Sequence, residues 1–169
     1  GISFVGIIIS MDSASAKTFA GGGGSYSRLR QYGAGDLTLS GSNFFDEIMD
    51  GVQPTTMKFT AGTTTIVNKF NYNGSSPGNA TSGCTIASSS AGNTFILSKS
   101  FGIVSVSWNL IKDSIATGGA VWYASNSVNQ GNNTGWIFSD PITYSNITIS
   151  DCSIDTTTGG ITISGSPIT

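Results

Sequence analysis

Short apolar–polar–apolar alternations recur along the chain, broken every few residues by Gly, Ser, Asn or Pro. The clearest are Leu37-Thr-Leu39, Met57-Lys-Phe59, Ile103-Val-Ser-Val106, Ile147-Thr-Ile149 and Ile161-Thr-Ile163. A period of two sends one side chain inward and the next outward, which is the geometry of a strand. Strands are expected over 2–10, 25–31, 36–40, 56–60, 64–71, 84–87, 93–98, 102–108, 109–113, 120–124, 135–138, 142–150 and 160–164. Helical periodicity is nearly absent. One helical turn is predicted, Phe44-Phe-Asp-Glu-Ile-Met-Asp50, with Ser42 and Asn43 before it as N-cap residues and Gly51 after it as C-cap.

Many short strands at regular spacing fit a sandwich, a barrel or a solenoid. The strands here are very short, turn residues are dense between them, and successive segments share a loose template. Asp36-Leu-Thr-Leu-Ser-Gly-Ser and Gly159-Gly-Ile-Thr-Ile-Ser-Gly-Ser are an internal echo of it. The fold class read from this is all-β and β-solenoid-like, with a jelly-roll β-sandwich as the alternative. A boundary is placed near Ser139-Asp-Pro141, because Trp and Phe stop there and the chain becomes rich in Ile, Thr and Ser. Residues 1–139 are read as the solenoid-like domain and 140–169 as a strand-rich C-terminal extension.

Composition narrows the chemistry. Charged residues are 9% of the 169, against about 25% in an ordinary soluble domain. Gly, Ser, Thr and Asn together make up almost half the chain. Disorder is disfavoured, because 38% of the residues are hydrophobic and the net charge is only −2. Five Lys and two Arg are scattered, which leaves no electrostatic footprint for nucleic acid. The absence of His removes the commonest general base and metal ligand. Cys84 and Cys152 could form one disulfide or remain two buried thiols; two Cys without His do not suit zinc. No metal or cofactor is expected. The run Phe4-Val-Gly-Ile-Ile-Ile9 is too short to span a bilayer and lacks a signal peptide's basic flank. The start at Gly1, within an expected strand, reads as a processed product or a piece of a longer polypeptide.

Each motif that could carry chemistry has a plainer reading. Gly21-Gly-Gly-Gly-Ser25 lacks the Lys of a phosphate loop and suits a turn. Asp46, Glu47 and Asp50, with Asp151 and Asp155 as a weaker set, could act as a glycosidase acid and base, or be solvated turn residues. Trp108, Trp122, Tyr123 and Trp136 could form a sugar platform. Trp122 and Tyr123, being adjacent, face opposite sides of a strand, so one of them is expected outside as a glycan or subunit contact. Asn126 to Asn133 contains no carboxylate and suits turns better than calcium. The sequons at Asn73, Asn79, Asn132 and Asn146 arise readily in such a composition. A Ser–Lys dyad around Ser98-Lys99-Ser100 conflicts with a solvated Lys. No catalytic residue is assigned.

Two stretches carry a resemblance. Lys17-Thr-Phe-Ala-Gly-Gly-Gly-Gly-Ser-Tyr26, continued by Gly33-Ala-Gly-Asp-Leu-Thr-Leu-Ser-Gly-Ser-Asn-Phe44, resembles the rungs of autotransporter passenger repeats and related β-helical proteins. Phe59-Thr-Ala-Gly-Thr-Thr-Thr65 onward, through Ile111-Lys-Asp-Ser-Ile-Ala-Thr-Gly-Gly-Ala120 to Gly131-Asn-Asn-Thr-Gly-Trp136, is similar to the closing rungs of right-handed parallel β-helix modules of phage virion and bacterial surface proteins. The resemblance covers roughly 17–138, leaves 140–169 outside it, and brings no catalytic residues. It implies a right-handed parallel β-helix in a virion or at a cell surface: a non-enzymatic fibre, spike or capsid decoration. Such a protein would work through self-assembly, as a homotrimer or larger, and through contacts with neighbouring virion or surface proteins. A carbohydrate-binding adhesion module for host glycans is the first alternative and a polysaccharide depolymerase fragment the second.

Overall fold

The computed structural model describes residues 3–75, 82–139, 153–155 and 162–164. They contain strands and no helix. The first four turns carry two strands each: β1 (Ser3–Met11) and β2 (Lys17–Ala20), β3 (Ser25–Gln31) and β4 (Leu37–Ser40), β5 (Asn43–Asp50) and β6 (Thr56–Phe59), β7 (Thr64–Asn71) and β8 (Cys84–Ser88). The next two turns carry three: β9 (Phe95–Ser98), β10 (Ile103–Ser107) and β11 (Asn109–Lys112), then β12 (Ser114–Thr117), β13 (Val121–Ser125) and β14 (Val128–Asn129). β15 (Trp136–Ile137) follows. The strands stack as two six-stranded sheets, β1-β3-β5-β7-β9-β12 and β2-β4-β6-β8-β11-β14, and a three-stranded sheet, β10-β13-β15. Every pairing within them is parallel. The expected β-solenoid is therefore the fold, and the sandwich is not: each strand pairs with those one turn before and after it. Of the expected C-terminal extension, β16 (Ser153–Asp155) and β17 (Thr162–Ser164) pair antiparallel; the strand expected at 142–150 lies outside the described residues.

Register makes the core. Ile9, Leu29, Ile48 and Phe70 stack in line through the first sheet, and Phe19, Leu39 and Phe59 through the second. Leu29, Ile48, Leu39 and Phe59 are fully buried. Across the interior the Phe59 and Phe95 rings lie parallel at 4.6 Å.

The segment 44–50 is strand β5, not the helical turn its spacing suggested. Its inward residues are Phe45 and Ile48, three apart, because the strand bends and Asp46 and Glu47 intervene between them. The same bend recurs in register at Tyr26/Leu29 below and Val67/Phe70 above. A bend repeated on three successive turns imitates the i, i+3 signature of a helix, and pairing with β3 and β7 decides the outcome. Beyond the bend, the ends of β1, β3, β5 and β7 occupy the side that the third sheet takes over above. β10 lies against β7 there: Gly74 N–H donates to Ser107 O at 2.9 Å, and Ser107 N–H to Asn73 Oδ1 at 2.9 Å.

Close stacking also dictates glycine at one corner. A Cβ on Gly33 would lie 2.2 Å from Ser13 O, and one on Gly35 2.1 Å from Ser15 O. Lys17 Nζ ties the same corner by donating to Ser13 O at 2.8 Å and to Gly35 O at 2.7 Å.

If stacked aromatics hold the turns together, Phe59→Ala opens a cavity in the centre of the core. A loss of about 3–5 kcal/mol is expected, read as a lowered urea midpoint; a loss below about 1 kcal/mol would contradict the central packing role.

Candidate functional site

The solenoid places its few charges on ladders between turns. Asp36 Oδ2 accepts from Lys58 Nζ at 2.7 Å, one turn on. Asp46 Oδ1 accepts from Asn68 Nδ2 at 3.0 Å. Glu47 stands between the turn below, where Arg28 Nε is 2.5 Å from Oε2, and the turn above, where Asn71 Nδ2 donates to Oε1 at 2.7 Å. Asp50 Oδ2 accepts from Gln53 Nε2, and its Oδ1 from Asn73 N–H. Asp113 Oδ2 accepts from Gly92 N–H at 3.0 Å and its Oδ1 from Asn132 Nδ2 at 2.8 Å. These two bonds, Asn132 foremost, hold the Asp113 carboxyl below its usual range. Asp46 and Glu47, considered from sequence as an acid–base pair, thus each bridge neighbouring turns. Asp151 lies outside the described residues.

Inside, a polar network crosses the same turns. Thr55 Oγ1 and Tyr72 Oη are 2.6 Å apart, Tyr72 Oη donates to Gln31 Oε1 at 2.9 Å, and Gln31 Nε2 donates to Gly35 O and Thr56 O. The Cys84 thiol donates to Asn73 O, and Asn109 Nδ2 donates to Tyr72 O at 2.8 Å. Burial raises the Tyr72 hydroxyl well above its usual range and raises the Cys84 thiol. Cys84 is buried with a free thiol; Cys152 lies outside the described residues.

The aromatic candidates separate. Trp122 is 1% exposed; its Nε1 donates to Thr117 O, and its ring meets Trp136 edge-on at 5.3 Å. It is a core residue, and Trp136 is buried beside it, its Nε1 donating to Ser114 Oγ at 3.0 Å. Trp108 is half-buried at a corner, with φ 59°. Tyr123 is the outward member of its pair and half-buried, in register with Ser105 and Ile137. Ile103 (63% exposed) and Val121 (41%) pair next to it, so the outer face of the third sheet is apolar on that side of Tyr123 and Ser105. Phe101, 75% exposed, precedes this face, with Lys99 Nζ 5.6 Å from its ring centre. Sequence reasoning singled out Tyr123 but missed Ile103 and Val121, although Ile103 heads a recognised alternation.

Gly21 to Ser25 form a corner in which Gly24 N–H donates to Gly21 O. Lys99 Nζ donates to Asn68 O at 2.5 Å, one turn down, and is not paired with Ser98 or Ser100. Among the described residues no group of three or more Cys, Asp or Glu could hold a metal ion, and no helix is long and apolar enough to cross a membrane. A recess of about 560 Å³ between Gly62, Gly92, Asn93 and Asn132 is lined by backbone and amides rather than acids or bases. A smaller one of about 230 Å³ includes Asp36, which is paired with Lys58. Comparison with protein-family models, curated proteins and solved structures finds no match.

Tyr72 fixes an alkaline limit. An acid held neutral by burial contributes stability below the pKa of the unfolded phenol, about 10, and that contribution is lost as pH rises above it. The urea midpoint should fall above about pH 10 and fall less steeply in Tyr72→Phe. At neutral pH that variant should cost about 1–3 kcal/mol for the partners left unpaired. Parallel pH profiles for the two proteins would contradict the assignment.

Proposed function

We propose that this chain is a non-enzymatic structural module of an extracellular assembly, a virion or a cell-surface appendage, acting through self-association and contacts with neighbouring proteins. The observation that carries the reading is the use of the carboxylates. Asp36, Asp46, Glu47, Asp50 and Asp113 each bond to a neighbouring turn or its corner. In a chain with so few charges, this arrangement favours rigidity over reactivity: Glu47, set between Arg28 of the turn below and Asn71 of the turn above, ties neighbouring turns together. The resemblance of residues 17–138 to β-helical surface and virion modules points to the same setting. At micromolar concentration, light scattering coupled to gel filtration should give a mass above the 17.3 kDa of one chain. A strictly monomeric chain would count against self-association. On the source particle or cell, gold-labelled antibody should decorate the surface.

A second reading, adhesion to host glycans, is favoured by Tyr123, whose outward ring lies in register with the Ser105 hydroxyl and with Ile137. A ring with a hydroxyl on one side and an apolar side chain on the other suits the apolar face and polar rim of a sugar. Saturable binding on a glycan array that Tyr123→Ala abolishes, with the melting curve preserved, would support adhesion. Binding that persists in the variant would move the site elsewhere.

A further inference from the structure

Asn–Gly and Asp–Gly are chemically labile sequences. With no Cβ on the following residue, the glycine nitrogen reaches the preceding side-chain carbonyl carbon and closes a five-membered imide. The chain has one of each, Asp50-Gly51 and Asn73-Gly74. The fold sets them one turn apart and in contact. Asn73 N–H donates to Asp50 Oδ1 at 3.2 Å, and Gln53 Nε2 donates both to Asp50 Oδ2 and to Asn73 O.

The structure explains why the labile pair at 73–74 is there. A Cβ on Gly74 would lie 1.8 Å from Trp108 O and 2.6 Å from Cys84 N, so no side chain fits. Asn73 Oδ1 takes the place of a strand carbonyl: it accepts from Ser107 N–H at 2.9 Å, and Gly74 N–H donates to Ser107 O at 2.9 Å. The carbonyl and the nitrogen that would react with one another are therefore both bonded to Ser107, at the end of β10. Ring closure needs the Gly74 nitrogen to lose its proton and turn onto Asn73 Cγ, so both bonds must break first. Asp50-Gly51 is held in the same way. Its carboxylate oxygens accept from Gln53 and Asn73, and Gly51 N–H donates to Gln31 O at 2.9 Å.

We propose that Asn73-Gly74 is a conformationally guarded modification site, at which opening of the junction between β7 and β10 is made irreversible by deamidation. Once the junction opens, Gly74 N bonds to Asn73 Cγ, the Cγ–Nδ2 bond breaks, and ammonia leaves with the proton from Gly74 N. Water then opens the imide to aspartate or isoaspartate; no oxidant or other reactant is needed. The imide has no N–H for Ser107 O. Aspartate at 73 sets a second carboxylate beside that of Asp50, and isoaspartate adds a methylene to the backbone. Each product is a poorer fit to Ser107 than the asparagine was, so an opened junction does not close again. The intact fold preserves its own labile bond, and a lapse in folding is recorded in the covalent chain.

Peptide mass spectrometry on the wild-type chain, incubated at one mildly alkaline pH either folded in buffer or unfolded in urea, measures the conversion of Asn73. Conversion is expected at least about tenfold more slowly in the folded chain, because it tracks the population of the open junction. Equal rates would overturn the guarding, and this comparison needs no variant to fold. Urea midpoints test the irreversibility. Asn73→Asp should lower the midpoint, and lower it less in an Asp50→Asn background, where no second carboxylate is opposed. A wild-type midpoint in Asn73→Asp, or the same loss in both backgrounds, would refute the block to reclosure by like charges.

Discussion

Everything in this molecule depends on parallel register between turns. Once Ile9, Leu29, Ile48 and Phe70 lie in one file, the neighbouring files follow, because alternation fixes which side chains face inward. A shift of one residue would send Phe45 outward and Asp46 into the core. The outer ladders reinforce the same alignment: Arg28, Glu47 and Asn71, or Asp46 and Asn68, meet only when their turns are in step. Core and surface thus specify one arrangement, so a chain with few charges and many turns can have a defined structure.

The corners set a second constraint. Where backbone passes over backbone, as at Gly33 above Ser13 and Gly35 above Ser15, no side chain fits. Where a corner is looser, polar side chains fill it: Asn132 reaches Asp113, and Asn133 Nδ2 donates to Ile111 O at 2.7 Å. The abundance of Gly, Ser, Thr and Asn has its cause here. The chain turns constantly, and backbone groups exposed at each corner need short hydrogen-bonding partners.

Much of the fold was legible in the sequence. The alternations at Leu37–Leu39, Met57–Phe59 and Ile103–Val106 are strands, and the turn-rich spacing pointed to a solenoid. Lys17–Ala20 and Ser114–Thr117 were missed because four residues with a Lys or a Thr at one end give too little pattern. Asn43–Asp50 was misread because its bend spaces Phe45 and Ile48 as a helix would. The site was less legible. Adjacency alone says that one of Trp122 and Tyr123 faces out, but which one depends on Val104 and Trp136, the register partners of Trp122. The bonds that hold Asp46 and Glu47 come from residues about 20 positions away, a separation set by the length of a turn and invisible to any local motif.

The buried network of Gln31, Thr55, Tyr72, Cys84 and Asn109 has a mechanical consequence. In a stack where each turn touches only its neighbours, an end can peel away without disturbing the middle. Tyr72 breaks that independence, since its hydroxyl reaches Gln31, two turns below, and its carbonyl accepts from Asn109, one turn above. Fraying from either end should therefore halt at this splice. The second to fifth turns then behave as one cooperative block, stiffer than the turns that flank it.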